Sequence, residues 1–340
     1  MKTPAGRPLI MSAAQIRHEL ALAQPTADNL NRRLICAANE ERFQTATYQE
    51  ALTEFTTGYL DKNDLRALLD AIAPEVPVGD RRFEYKAWAN GEYFFYDTDD
   101  GREIGGAFKA VQYSGSTVLG KTINRGLTTR VDNDERFGDD WQERAVMKLT
   151  QRLLRNELIR AVAVLQAGAT AFASPTWKSD GTASVAPDTD LQNAIQASID
   201  ASGIMPNRCI MGQKAWVQRQ FAYASINTPN AGVAANLNEA QLAGKLKLED
   251  LVVFMPRYQT GVSTKSSVVG LFAYVFDAQK GIGKDDPSNF KRFTSPTDGG
   301  SPMRVYVEPH AKYTDITVEH YSNVLACSTL GIEQLTIGTT

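Results

Sequence analysis

The sequence has no long apolar run, no signal segment and almost no net charge, and each absence removes a class of protein. No stretch of the 340 residues reaches the roughly 18 uninterrupted apolar residues of a membrane-spanning helix, and the opening MKTPAGRPLIMSAAQIRHEL is too polar for a secretory signal. A formal net charge of -3 provides no overall positive field to attract nucleic acid. We therefore expect a soluble protein that is made in a cytoplasm and is not a dedicated nucleic-acid binder.

Cysteine and histidine are scarce and scattered. They are Cys36, Cys209 and Cys327, and His18, His310 and His320. An odd number of cysteines without CxxC spacing indicates buried thiols, not disulfides or a zinc site. No HExxH or GxSxG element accompanies the histidines, so each is predicted to be structural. The sequence therefore predicts no catalytic, cofactor-binding or metal-ligating residue.

The composition is that of a globular protein, and the first part of the chain is predicted to be helical. Hydrophobic residues make up 43% of the sequence and charged residues 22%, which suits two domains or one elaborate domain. Leucine and isoleucine recur at helical spacing over residues 65–72, with Asp61 or Asn63 as the predicted N-cap. Two prolines after this helix favour extended backbone, so a new unit is predicted to begin near Asp80.

Strands and turns are predicted over residues 83–131. The segments FEYKAW and EYFFYD are rich in aromatic residues, and Asn90-Gly91 and Asp99-Asp100-Gly101 are strong turn signals. An isolated hairpin is only marginally stable in water, so it needs a surface to pack against. We therefore predict an arm of β-structure that lies on another part of the protein.

The most regular element is a helix predicted over residues 139–167, which contains no proline and ends at Gly168. One broad face is apolar, and the other carries basic residues at helical spacing. These are Arg144, Lys148, Arg152 and Arg155. Two interpretations of the basic face stay open: a solvated face paired with Glu143 and Glu157, or a contact with DNA or a neighbouring subunit.

The remainder of the chain, residues 170–340, alternates helices and strands and predicts an α+β fold. DLQNAIQASIDA and QKAWVQRQFAY have the spacing of helices, the first with Asp190 near its cap. NRCIMG, LEDLVVFM and SVVGLFAYVF have the content of buried strands. The segment before the first of these helices is predicted to be loop, and the end of the chain from Met303 is almost entirely strand-like.

One motif with a chemical meaning occurs, in surroundings that argue against it. Residues 115–122, GSTVLGKT, match the phosphate-binding pattern GxxxxGK[ST], in which Lys121 would contact a nucleotide. Such a loop opens a helix, whereas Gly126 and several β-branched residues favour another extended segment here. The run Asp97–Gly101 fits a hairpin turn better than a calcium loop, and Gly281–Lys284 is predicted to be a loop and not a dinucleotide site.

Three segments resemble the Hong Kong 97 capsid fold of tailed bacteriophages. In Gly101–Gly168, a strand and a Val-Asp-Asn-Asp-Glu turn lead into the long helix. In Ile204–Gln220, a Pro-Asn turn, a short strand and a helix with an early Trp follow one another, and Val307–Ile332 resembles the closing strands. The resemblance covers residues 80–340 in the order of elements and only loosely in residue identity.

The resemblance implies an α+β, Hong Kong 97-like capsid fold with four parts. They are a helical N-terminal arm region (1–79), an extended β-hairpin loop (80–133), a peripheral domain (134–189 and about 301–322) with a spine helix over 139–167, and an axial domain (190–300 and 323–340). Residues 1–75 match no pattern of the family and are either an arm enlarged by helices or a retained scaffolding-like segment. Some members link subunits through a lysine of the loop, but Lys86, Lys109 and Lys121 lack a matching motif.

The resemblance also implies a structural function without catalysis. The expected function is that of a major capsid subunit, which assembles with itself into hexamers and pentamers of an icosahedral shell around double-stranded DNA. It is expected in the virion, assembled in the host bacterial cytoplasm, with scaffolding, portal and decoration proteins as further partners and with no membrane, metal or cofactor. An encapsulin-like nanocompartment shell and a nucleotide-binding protein that uses Lys121 remain as alternatives.

Aromatic residues of the extended loop are the predicted contact between subunits. They alternate along two strands, and projecting apolar strands normally mark an interface. We expect them to lie over the spine helix of an adjacent subunit. These residues are Phe83, Tyr85, Trp88, Tyr93, Phe94 and Phe95.

Overall fold

The computed structural model describes residues 47–58, 64–88, 101–102, 104–108, 116–177, 186–225, 231–281, 283–298 and 300–338. Its helices are α1 (Glu50–Gly58), α2 (Leu65–Ile72), α3 (Trp141–Gly168), α4 (Pro187–Ser202), α5 (Gln213–Ser225), α6 (Ala231–Ala235) and α7 (Glu239–Leu246).

Its strands are β1 (Thr47–Tyr48), β2 (Glu75–Pro77), β3 (Arg82–Ala87), β4 (Ser116–Lys121), β5 (Ile123–Asp132), β6 (Thr170–Ala173), β7 (Arg208–Gly212), β8 (Asp250–Phe254), β9 (Arg257–Gln259), β10 (Lys265–Ser267), β11 (Phe272–Phe276), β12 (Phe290–Ser295), β13 (Met303–Pro309), β14 (Tyr313–Ala326) and β15 (Glu333–Thr336). Besides the two larger sheets described below, β3 pairs with β4 and β9 pairs with β10 as two-stranded sheets.

A six-stranded sheet, which we call the first sheet, is built around β14. This 14-residue strand pairs antiparallel with β5, β12 and β13, while β2 joins β12 in parallel and β1 joins β13. The first half of α3 covers the sheet, where Val146 and Leu149 pack with Val305 and Ile316. This apolar contact anchors the helix on the sheet.

A five-stranded sheet, which we call the second sheet, has the strand order β6-β15-β11-β7-β8. Every residue of β7 is buried, because β8 and β11 flank it and helices cover the sheet. Leu191 of α4, Ala215 of α5 and Leu242 of α7 form one core with Met211 and Val275. The predicted strands and helices of this region are confirmed.

The long helix α3 joins the cores of both sheets. Its second half carries Leu154, Leu158 and Leu165, which pack with Ile210 and Tyr274 of the second sheet. At 28 residues the helix is roughly 42 Å long. The predicted spine helix is confirmed, with its first residue at Trp141.

The helix α2 is confirmed, although its N-cap is a different residue from those predicted. Asp64 is the N-cap, with φ 47°, and its side chain accepts a hydrogen bond from the backbone N–H of Ala67 at 3.4 Å. Asp61 and Asn63 lie outside the described residues. In α4, Asp190 lies in the first turn, whereas Ala186 is the N-cap because Pro187 begins the helix.

Several strands were not predicted, among them β1, β6, β9 and β12. Strand β6 lies in the predicted loop after α3 and pairs in parallel with β15. Strand β12 contains Lys291 and Arg292, whose charges normally indicate an exposed segment, yet both side chains are buried. The Lys291 ammonium is accommodated because it donates hydrogen bonds to the carbonyls of Gly283 and Lys284, both at 3.0 Å.

The first sheet unites segments that the sequence-based division placed in different parts. Strand β5 was placed in the extended loop and β12 in the axial domain, yet both pair with β14. The segment EYFFYD of the predicted loop lies outside the described residues. The four-part division itself stays a prediction.

Candidate functional site

A groove of about 620 Å³ lies between the first half of α3 and β5. Its lining is strongly basic, because five cations face one carboxylate. The cations are Arg130, Arg144, Lys148, Arg152 and Arg155, and the carboxylate is Glu135. The groove therefore has the charge to bind an anionic partner.

The basic side chains of the groove differ in how firmly they are held. Arg144 forms an ion pair with Asp140 at 3.1 Å and donates a hydrogen bond to the backbone carbonyl of Phe137. Within the described part of the chain, Lys148, Arg152 and Arg155 form no ion pair, and all three are exposed. These three cations can therefore reach a partner without breaking an internal salt bridge.

Glu157 does not pair with the basic face of α3, as one interpretation of the sequence required. It is buried on the opposite side of the helix, 3.9 Å from Arg292 Nη1 and 3.9 Å from His320 Nε2. Arg292 also bonds Asp70 at 2.9 Å and Glu75 at 2.8 Å. This ionic cluster connects α2, α3, β2, β12 and β14.

The ionic cluster is only partly satisfied. Glu157 Oε1, Arg292 Nε and both imidazole nitrogens of His320 are buried and make no hydrogen bond among the described residues. Burial lowers the pKa of His320; Glu157 opposes this shift, while Arg160 and Arg292 reinforce it. Burial therefore favours the neutral form of His320 in the folded chain.

Three of the predicted contact residues are held by their own chain. The Phe83 and Tyr85 rings lie 4.4 and 5.4 Å from the Phe293 ring of β12. The backbone N–H of Trp88 donates to the carbonyl of Cys327 at 2.8 Å, and its side chain is buried. These residues fix the base of the extended loop on the first sheet.

The other predicted contact residues, Tyr93, Phe94 and Phe95, lie outside the described residues. The hairpin of β3 and β4 has one face packed on the first sheet and one face open, on which Leu119 is 79% exposed. Ile104 and Phe108 of the same loop are also exposed. The described part of the loop therefore presents exposed apolar side chains, and the contact with a neighbouring subunit stays a prediction.

The nucleotide-binding interpretation of residues 115–122 is wrong. Ser116–Lys121 is strand β4, and β5 follows immediately after Thr122, so no helix opens behind the motif. The Thr122 hydroxyl is buried and shares a hydrogen bond of 2.8 Å with the Ser295 hydroxyl. The expected extended segment is confirmed.

The remaining sequence candidates are structural or lie outside the described residues. Cys209 and Cys327 are free buried thiols, and burial raises the pKa of Cys209 to about 12, so it does not form a thiolate at neutral pH. Asp97–Asp100, Cys36 and His18 are not described. Among the described helices, none combines the length and apolarity needed to cross a bilayer.

Comparison with solved structures identifies the fold. A phage-related protein from Bordetella bronchiseptica matches with a TM-score of 0.64 at 16% identity, over 85% of this chain and 97% of that chain. The chain has the Hong Kong 97 capsid fold. The α+β architecture implied by the sequence resemblance is thereby confirmed, and at this identity the likeness concerns the fold alone.

Two further solved structures match less closely. The mature capsid of bacteriophage PhiM1 has a TM-score of 0.47 at 11% identity, over 82% of this chain and 88% of that chain. A virus-like particle from Pyrococcus furiosus has a TM-score of 0.45 at 13% identity, over 79% of this chain and 96% of that chain. No protein-family model and no curated protein matches the sequence.

Proposed function

We propose that this protein is a major capsid subunit, which assembles with copies of itself into the hexamers and pentamers of an icosahedral shell around double-stranded DNA. The fold shared with a phage-related protein over 85% of the chain carries the proposal. The role is structural and not catalytic, and the protein is a component of the virion. Assembly in the host cytoplasm, together with scaffolding, portal and decoration proteins, belongs to the same proposal.

The extended loop is the first surface that supports self-assembly. Its base is fixed on its own subunit through Phe83, Tyr85 and Trp88, and the residues beyond this base are the ones that we expect to reach a neighbour. We propose that this outer part lies over helix α3 of the adjacent subunit. Its contact residues are Tyr93, Phe94, Phe95 and the exposed Leu119.

The basic groove is the second surface, and an acidic segment of a neighbouring subunit is its proposed occupant. Lys148, Arg152 and Arg155 offer three exposed cations that form no ion pair with another described residue. The extended loop supplies the opposite charge, because residues 97–103 contain four carboxylates and one arginine. The same contact would thus combine apolar side chains with complementary charge.

Electron microscopy of the purified protein, produced without any other phage component, tests the proposed function. Closed or partly closed particles built of hexameric and pentameric rings are the expected result. A protein that stays monomeric at every concentration and salt condition tested, and that hydrolyses ATP in a manner abolished by Lys121→Ala, would contradict it.

The content of the particles tests the second half of the proposal. Shells isolated from phage-producing cells should contain double-stranded DNA that nuclease cannot reach. Shells that instead enclose one defined cargo enzyme would show a nanocompartment, which shares the assembly but not the role in the virion.

A further inference from the structure

A histidine and two carboxylates converge at the hairpin that joins β13 to β14. Glu308 and Asp315 face each other across the two strands, and His310 lies at the turn between them. One donor atom from each residue can be chosen such that all lie within 4.8 Å of one another. The proposed assembly function uses none of these three residues.

The distances between the donor atoms match those around a metal ion. His310 Nε2 lies 3.1 Å from Glu308 Oε1 and 4.0 Å from Asp315 Oδ2. Ligands at zinc distances in a tetrahedral site are roughly 3.4 Å apart, a value between the two. His310 Nε2 is buried and makes no hydrogen bond with another described residue, even though Glu308 is close. Its nitrogen is therefore available to a cation at the centre of the cluster.

Neighbouring side chains orient the donors, as the partners of metal ligands usually do. Arg130 of β5 donates hydrogen bonds to both oxygens of Asp315 at 2.9 Å. The Tyr313 ring lies 4.5 Å from the His310 ring and 3.8 Å from the Arg130 guanidinium. The imidazole and the Asp315 carboxylate are thus held by packing and by hydrogen bonds.

The charge and the accessibility of the cluster also suit a cation. The two carboxylates and Arg130 sum to one negative charge, which favours a divalent ion while limiting its affinity. The Asp315 side chain is 4% exposed and that of His310 is 29% exposed, so the cluster is sheltered but open to solvent on one side.

We propose that Glu308, His310 and Asp315 bind a divalent transition-metal ion. One imidazole and two carboxylates match zinc best, and three protein ligands leave a fourth position for water or for a donor from another molecule. The bound ion would fasten the turn between β13 and β14 to β5, because Arg130 connects Asp315 to that strand.

Titration of the full chain without a histidine tag, after removal of metals with EDTA, tests the proposal. We expect zinc to bind once per chain by calorimetry and to raise the melting temperature. Arg130→Lys should weaken binding ~10–100-fold, as the loss of an outer partner does. Glu308→Gln and His310→Gln remove ligands and should weaken it more. His18→Gln and His320→Gln, which remove the other histidines, should leave the affinity unchanged.

Cobalt serves as a probe that needs no variant. Cobalt bound to nitrogen and oxygen ligands gives weak visible bands, whereas cysteine ligation gives an intense near-ultraviolet charge-transfer band. The intense band, the absence of any zinc binding, or equal affinity in wild type, Glu308→Gln and His310→Gln would each overturn the proposal. Metal titration of unassembled subunits separates this result from that of shell assembly.

Discussion

The two sheets differ in what they bury. In the second sheet, β7 buries Cys209, Ile210 and Met211, and its one buried charge, Arg208, pairs with Asp250 at the adjacent strand end at 2.8 Å. In the first sheet many buried positions are ionisable: Lys291, Arg292, Asp315, Glu319 and His320. Apolar contacts tolerate many arrangements, whereas buried charges require specific partners. The core around β7 in the second sheet should therefore respond to lost volume, and the first sheet to lost charge and to pH.

The largest effect is expected from Arg292→Ala in the first sheet. The substitution leaves Glu157, Asp70 and Glu75 without their common cation, and the loss of one partner from a buried ionic cluster costs about 3–5 kcal/mol. Denaturant unfolding measures the change in the free energy of unfolding.

The matched control for this change is Arg257→Ala on the exposed strand β9. It should change the free energy of unfolding by less than about 0.5 kcal/mol. Equal effects of the two substitutions would show that the ionic cluster does not stabilise the first sheet.

A cavity in the second sheet should lower the free energy of unfolding by nearly as much as Arg292→Ala does. Ile210 is fully buried in β7, so Ile210→Ala should reduce the free energy of unfolding by about 2–5 kcal/mol, and Ile210→Val by about 0.5–1.5 kcal/mol. The same unfolding experiment at several pH values should give the same losses, because no charge is involved. Losses that change strongly with pH would remove the contrast between the sheets.

His320 should make the first sheet sensitive to acid. Burial lowers the pKa of His320 below its ordinary value of 6.5, so the unfolded chain binds a proton that the folded chain does not. The free energy of unfolding should therefore fall as pH drops below about 6.5. His320→Gln should flatten this part of the stability profile, and an unchanged profile would contradict the prediction.

Asp277 lies directly after β11 of the second sheet. Its effect on the pH dependence of stability should be opposite to that of His320. Burial raises its pKa from 3.8 to about 6, so between these values the folded chain keeps a proton that the unfolded chain releases. Its contribution to stability should fall as pH rises through this window. Asp277→Asn should remove that decline, and an unchanged pH profile after this substitution would show that Asp277 does not titrate in this way.

Substitutions on the basic face of α3 should have the smallest effect on stability and a large effect on assembly. Replacing Lys148, Arg152 and Arg155 together by Gln removes exposed charges, so the free energy of unfolding should change by about 0.5 kcal/mol or less. Light scattering should show that the variant fails to form particles. Lys214→Gln, an exposed charge outside the groove, is the control, and normal assembly of the triple variant would exclude the groove as an assembly surface.

Much of the fold could be predicted because its pattern is apolar. Helical spacing predicted α2 and α3, and β-branched runs predicted β7, β8 and β11. Strand β12 was not predicted because Lys291 and Arg292 are charged residue types, which normally indicate an exposed segment. A signal for Glu157 was present, since it lies four residues after Leu153 and directly before Leu158 on the buried face of α3.

The candidate sites were less predictable, since they depend on contacts between distant parts of the chain. The basic row on α3 follows from helical spacing, but the groove exists only because β5 lies beside it. Glu308 and Asp315 meet because the turn of β13 and β14 closes between them, and Arg130 joins them from a strand far away in the sequence. The spacing of residues along the sequence does not show which distant residues contact one another in the fold.

We expect this fold to assemble through the loop of one subunit and helix α3 of the next. A cryo-electron microscopy map of particles assembled from the purified protein tests it most directly. The expected result is rings in which Tyr93, Phe94 and Phe95 of one subunit contact Trp141–Gly168 of its neighbour. Particles in which the loop contacts only its own subunit, or a protein that never forms rings, would contradict it.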